Sequence, residues 1–468
     1  MEDLLSRIKS IKENDIPLAY KLIDHTTRHE WEAYSKQLRD EYRQCESEGL
    51  EIQSLKPAFE YLYSLEPSPL KAYACDLLFE EILKLPTRSD YPYREPNAID
   101  DIRAARPGAG HARLPYDADK LRDKLAGAWY GRICGCLAGK TVEGIRTEEL
   151  IPFLEESGNY PMHRYILSSD LPSDYETRYK FHFKNTCYAD RISCAPTDDD
   201  TNYTCLYQQL IEKYGRGFTP SDVCSIWLTR QPVSAYCTAE RAAYCNMIKG
   251  LRPPYTASFQ NSYREWIGAQ IRADYFGYIN PGDPEAAADM AYMDACISHT
   301  KNGIYGDMFV SAMIAAAAAD LSIPQIIDAG LNEIPASCRL QAQARELVSM
   351  YTQGLSCEDA FRHIHTLYDE HTGYGWCHTI SNALIVIAAL LYGNGDYGKS
   401  ICLAVQTGFD TDCNGATVGS IIGMLYGRAA VGEEWTRPLK DELSTSIIGV
   451  GKVKIPELIE TTLKHIGI

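Results

Sequence analysis

The sequence predicts an all-α fold, a tight bundle of helices. Leu121, Leu125, Trp129 and Ile133 recur every four residues behind Asp117 and Asp119, two acids suited to capping a helix start. Three later segments, DMFVSAMIAAAAADL from Asp307, ISNALIVIAALLYG from Ile380 and CNGATVGSIIGMLYG from Cys413, are rich in Ala and Gly. None of them alternates polar and apolar residues as a half-buried strand would. In the last segment Gly415, Gly419, Gly423 and Gly427 lay a smooth stripe along one helix face, where another backbone can approach closely.

Taken in order, residues 1–92 read as a helical extension, because stretches such as Trp31 to Tyr42 and Leu55 to Leu65 mix apolar and charged residues at helical spacing. Residues 93–116 read as a linker: around YPYREPNAIDDIRAARPGAGHARLP, prolines, glycines and arginines collect without apolar periodicity, as in an exposed connector. Residues 117–468 then form the large domain. Asn280-Pro-Gly-Asp-Pro284 is a turn that ends one segment and starts a helix at Glu285.

Composition narrows the function. The 468 residues carry a net charge of −17, so general nucleic-acid binding, which needs a basic face, is not expected. The first residues, MEDLLSRIKSIKEND, lack a basic start followed by an apolar stretch, and the apolar runs are shorter than the ~20 residues of a membrane span. A soluble, cytoplasmic protein without membrane partners is expected. Its 16 cysteines then read as reduced thiols, and no CxxC pair suggests structural zinc. Cys134 and Cys136 read as small side chains in a tight helix contact.

Three clusters bear on chemistry. Gly135-Cys-Leu-Ala-Gly139-Lys140-Thr141 fails as a phosphate-binding P-loop, because Cys134 stands where its first glycine belongs and a helix, not a strand, precedes it. Thr197-Asp198-Asp199-Asp200-Thr201-Asn202 precedes the apolar stretch Tyr203 to Ile211. One Asp would cap a helix; three adjacent carboxylates repel one another and are easier to justify beside a divalent cation. Gly408-Phe409-Asp410-Thr411-Asp412-Cys413-Asn414-Gly415 repeats that chemistry at the head of another apolar helix. If the bundle joins the two helix starts, four or five carboxylates meet, enough for two metal ions.

Gly135…Gly139…Glu143, Thr197-Asp198-Asp199 and Gly408-Phe-Asp410-Thr-Asp412 occur in an order and context that resemble the ADP-ribosylglycohydrolase family, dinitrogenase reductase-activating glycohydrolases among them. The resemblance covers roughly Leu121 to Gly427 and implies an orthogonal all-α bundle around a binuclear Mg²⁺ site, in which Mn²⁺ substitutes. It also implies cleavage at C1″ of ribose. Carried over residue by residue, Thr197, Asp198, Asp199, Asp410 and Asp412 are the implied metal ligands, and Glu143 closes the first motif beside the metals. Glu143, Asp199 and Asp410 are the expected catalytic residues.

The departures from the family pattern suggest a divergent branch. Gly135-Cys136-Leu137 stands where Gly-Asp-Ala is usual, Asp200 replaces Thr, and Cys413 replaces the hydroxyl residue that follows the last Asp. A thiol is a poor Mg²⁺ ligand, so Asn414 or water would fill that position, or the second metal is held more loosely. Substrate-binding candidates are His299, within Ser298-His-Thr300, and Tyr374, Gly375, Trp376, His378 and Asn382 of a glycine-rich loop, where an aromatic ring can stack on a base. The expected partner is a ribose-containing small molecule or an ADP-ribosylated target. The alternatives are a nucleosidase or other N-glycosidase of small ribosides, and a non-catalytic ADP-ribose-binding protein.

Overall fold

The computed structural model describes residues 4–108, 113–179 and 187–467. The fold is all-α. Among these residues strand pairing is confined to one short antiparallel ladder, Glu442–Ser444 with Lys452–Lys454, and a few isolated bridges.

Two helices form the spine. The first, Ala118–Lys140, starts at Asp117, whose carboxylate accepts the Asp119 backbone N–H at 3.0 Å as a cap. The second is Thr411–Tyr426. Glycines on one face each, spaced by four, meet pairwise: 127 against 423, 131 against 419, 135 against 415. A Cβ on Gly131 would stand 2.2 Å from the Gly419 carbonyl oxygen, and one on Gly135 2.0 Å from that of Gly415. No side chain fits, so the backbones touch. Because numbers rise on one helix as they fall on the other, the pair is antiparallel, and the C-terminal end of the first meets the N-terminal end of the second. There the Thr411 hydroxyl donates to the Gly139 carbonyl at 2.9 Å.

Around this pair lie the Asp199–Tyr214, Asn302–Ala317 and Thr379–Gly393 helices, the last two buried on nearly every side, as apolar sequence without a polar face requires. The N-terminal region has a core of its own, running from Leu4 to Ile82 through Phe59, Leu62 and Leu78. Its Leu55 to Leu65 stretch is the expected helix, Lys56–Ser64. Trp31 to Tyr42 is instead two 3-10 turns followed by the Leu38–Ser47 helix, because the backbone is extended at Ala33.

The connector departs from the expected exposed linker. It contains the helix Ile99–Ala104, and Ile102 is fully buried in the core of the large domain. Further on, Leu114 N–H donates to the Gly282 carbonyl at 2.7 Å. Residues 109–112 of this stretch lie outside the described residues. Low apolar periodicity concealed the buried anchor Ile102, which periodicity cannot detect.

Candidate active site

The two acidic helix starts are built differently. Asp198 is the N-cap of the Asp199–Tyr214 helix and accepts the Asp200 backbone N–H at 2.9 Å. Its other oxygen takes the Lys140 ammonium at 2.5 Å, the last residue of the first glycine helix. Asp410 occupies the equivalent position before Thr411, but its side chain accepts no capping bond. Just before it, Phe409 is held at φ +58°, a left-handed conformation that costs a bulky residue roughly 1–2 kcal/mol. The Trp376 indole N–H donates to the Phe409 carbonyl, and the His365 ring packs 4.8 Å from the Phe409 ring. The Asp410 N–H donates to Asn382 Oδ1 at 3.2 Å, which leaves the carboxylate free of local backbone duty.

The glycine seam delivers these starts to one place. Ligand atoms of Cys136, Asp198 and Asp200 lie within 4.8 Å of one another, and so do those of Asp200, Asp412 and Cys413. Asp200 is shared between the groups. Its Oδ1 accepts from the fully buried Arg132 at 3.0 Å, and Arg132 also reaches Asp274 at 2.7 Å. Asp200 therefore shares one buried counterion with Asp274, and burial still drives its carboxyl well above the usual range.

Mutual repulsion sets the electrostatics. Asp412, reinforced by burial and Asp198, pushes Glu143 up to about 9. Burial and then Asp198 push Asp412 up to about 6. Asp199 and Asp410 are driven well above the usual carboxylate range by burial and their acidic neighbours. Asp198 is the exception: against the effect of burial, Lys140 holds its carboxyl below that range. Asp412 Oδ1, Asp200 Oδ2 and Asn414 Oδ1 are buried with no hydrogen-bond partner among the described residues. Oxygens that are acidic, buried and unsatisfied fit a hard divalent cation, which would supply charge that Lys140 alone does not. Cys136 and Cys413 add two soft donors at the edges of this oxygen set.

The other candidates are distributed unevenly. Tyr374 and Trp376 are half-buried on the wall of a cleft, with Gly375 packed behind them against the Asp369 carbonyl. Arg146 lies 4.9 Å over the Trp376 ring. His378 is fully buried and caps the Thr379–Gly393 helix by accepting the Ile380 N–H at 3.1 Å, beside Glu265 at 3.7 Å. Asn382, one turn on, donates to the Trp376 and His378 carbonyls and accepts from Asn414 at 2.8 Å. Both act through their neighbours on Asp410 and the loop. His299 is 1% exposed, with Nδ1 at 2.8 Å from the Ser298 hydroxyl, and burial together with Arg272 holds its pKa well below the usual imidazole range. It is a neutral buried ring, not a wall of the cleft. Thr197 is exposed just ahead of the Asp198 cap.

Sequence reasoning missed Lys140, Cys136 and Arg132 as parts of this centre. Lys140 stood only in a rejected P-loop, although Arg132, Cys136 and Lys140 are spaced by four on one face of a helix that ends at Glu143's motif. That spacing was the available signal.

Residues 117–464 match the profile of the family described as ADP-ribosylglycohydrolase. A solved structure described as an "ADP-ribosylglycohydrolase-related protein complex" is similar over 75% of this chain and 99% of its own, at 17% identity and a TM-score of 0.45. No curated protein sequence matches the chain. The family match spans most of the chain, which makes it a glycosidase-class hydrolase: the chain belongs to the ADP-ribosylglycohydrolase family.

Proposed function

We propose that the protein is a Mg²⁺-dependent hydrolase that cleaves the glycosidic bond at the anomeric carbon of (ADP-)ribose, with Mn²⁺ able to replace Mg²⁺. The observation that carries this reading is the convergence of Asp198, Asp200 and Asp412 from two helix starts, with Asp412 Oδ1 buried and unsatisfied. Thr197, Asp198, Asp199, Asp410 and Asp412 would hold two ions, which supply Lewis acidity toward ribose hydroxyls and water. Glu143, Asp199 or Asp410 moves the proton between water and the leaving group, a contribution of typically ~10²–10⁴-fold. Tyr374 and Trp376 line the substrate side, and Asn382 orients Asp410 through its backbone N–H. Residues 117–468 would form the catalytic domain, preceded by an extension over 1–92 and a connector over 93–116. Incubating the protein with ADP-ribosylated and plain ribosides, with Mg²⁺ or with EDTA, tests the reading. Metal-dependent release of ribose or ADP-ribose is expected; release that persists in EDTA, or none from any substrate, would overturn it.

A further inference from the structure

A cleft of about 770 Å³ runs from the glycine-rich loop to the N-terminal region, and one wall of it lies outside the family-matched residues. Its inner end is close to the acidic centre. Trp376 lines it and donates to the carbonyl of Phe409, the residue before Asp410. Thr238 lines it too, held at φ +33°, an unusual backbone for a β-branched residue, and follows Cys237, which feels the charges of Asp199 and Asp410. The walls are aromatic: Trp266 and Trp376 of the large domain line it together with Trp31 and Tyr63 of the N-terminal region. Trp266 is 5% exposed, and its indole N–H has no acceptor among the described residues. A buried indole N–H without an acceptor is uncommon, and here it belongs to a residue that lines an open cleft.

The outer rim carries charge in a definite arrangement. Arg39 and Arg43, one turn apart on the Leu38–Ser47 helix, and Lys56 at the head of the next helix line the cleft, are exposed, and form no ion pair among the described residues. Arg39 instead lies 5.5 Å over the Tyr63 ring. In a chain of net charge −17, three cations gathered on one rim are conspicuous, and the carboxylate that feels Arg39 and Arg43, that of Asp40, forms no ion pair with them. Lys36 is occupied by the Thr26 and Arg28 carbonyls. Glu30, Asp40 and Glu60 also line the cleft, and the Asp40 carboxylate makes no hydrogen bond among the described residues. It sits by the glycine-rich loop, 3.9 Å from where a Gly373 Cβ would be, inward of the exposed rim.

Aromatic walls, a carboxylate by the glycine-rich loop and exposed guanidinium groups outside any ion pair match one kind of ligand. We propose that the N-terminal region forms one wall of a nucleotide subsite, where a base stacks among the aromatic rings with its N–H groups toward Asp40 and its phosphate at Arg39, Arg43 and Lys56. Stacking on aromatic side chains is worth roughly 1–3 kcal/mol per base, and guanidinium groups bind phosphate through paired hydrogen bonds. This rests on the hydrolase reading above only for what is attached to the nucleotide. It assigns substrate selection partly to residues 30–63, which the family does not supply.

The test is isothermal titration of AMP, adenosine and inorganic phosphate into the full-length protein with Mg²⁺ present, for the wild type, the double variant Arg39→Ala/Arg43→Ala and Trp31→Ala. The double variant should weaken AMP at least tenfold while adenosine changes by less than threefold, and Trp31→Ala should weaken both. Mg²⁺ affinity serves as the fold control for both variants, and the thermal midpoint for the double variant, whose two side chains are exposed, because Trp31 is half-buried against the core. AMP binding that is absent from the wild type or equal in the double variant overturns the proposal. If AMP binding is arginine-dependent and no riboside is hydrolysed, the hydrolase reading fails and the subsite stands; hydrolysis with arginine-independent AMP binding gives the reverse.

Discussion

Two seams hold the molecule together, and they are made of opposite materials. Between the glycine helices the contact is backbone on backbone, with carbonyl oxygens where Cβ atoms would otherwise stand. Between the N-terminal region and the large domain it is charge on charge. Arg264 reaches Glu48 at 2.7 Å and Glu41 at 3.0 Å, Lys301 reaches Glu48 at 2.6 Å, and Gln44 reaches Glu265 at 2.5 Å. Arg339 ties Glu265 at 2.7 Å to Glu95 of the connector at 2.8 Å. The glycine seam sets how close the acidic helix starts come, and it has no slack. The ionic seam passes through Glu265 to His378 and so to the loop that lines the cleft, but its long side chains can readjust. One seam fixes the chemistry, and the other sets the wall facing it.

The comparison breaks most clearly at Gly135. Gly135→Val or Gly419→Val should prevent folding or cost more than the ~1–3 kcal/mol usual for an overpacked core, because the clash is with backbone. A urea midpoint like that of the wild type would show that the helices can separate. Next comes the product of that seam: Asp412→Ala or Asp410→Ala should abolish hydrolysis and remove the thermal stabilisation by Mg²⁺, since an ion bound only by the folded state stabilises it by mass action. Retained Mg²⁺ stabilisation would remove these residues from the ligand set.

The ionic seam should respond less. Arg264→Met leaves Glu41 and Glu48 buried without their main counterion and should cost about 3–5 kcal/mol in urea unfolding, while the affinity for Mg²⁺ holds. Loss of Mg²⁺ binding in that variant would mean the two seams are coupled.

Titration probes the acidic centre directly. Glu143 binds its proton far more tightly folded, at about 9, than its ordinary 4.5 allows when unfolded. Where the folded state holds more protons, stability falls with rising pH. The metal-free protein should therefore lose thermal stability progressively between about pH 4.5 and 9, with Asp412, at about 6, adding to the early part. Saturating Mg²⁺ should flatten or reverse the slope; a flat profile in EDTA would mean the carboxylates do not repel as their burial demands.

The smallest effect is expected at Cys413. Its thiol lies with Asp200 and Asp412, so Cys413→Thr should supply a hard oxygen and tighten Mg²⁺ several-fold. Equal affinities by titration calorimetry would make Cys413 a neighbour of the site and not a member.

Much was legible in the sequence because it is local. Helical spacing at Leu121, Leu125 and Trp129, the Asp117 cap and the glycine stripe from Gly415 each depend on residues within a few turns, and so does the acidity of the two helix starts. The stripe showed that some backbone must come close. That its partner is the matching glycine series beginning at Gly127 was decided by tertiary packing, because a stripe specifies a shape and not the residue that fills it. The same limit applies to Lys140 on Asp198, to Arg132 on Asp200, and to His299, whose polar surroundings in sequence became a buried pocket in space. It applies most to residues 30–63: their charges and aromatic rings are plain in the chain, but only folding brings them across from Trp376, through ion pairs that join residues more than two hundred positions apart.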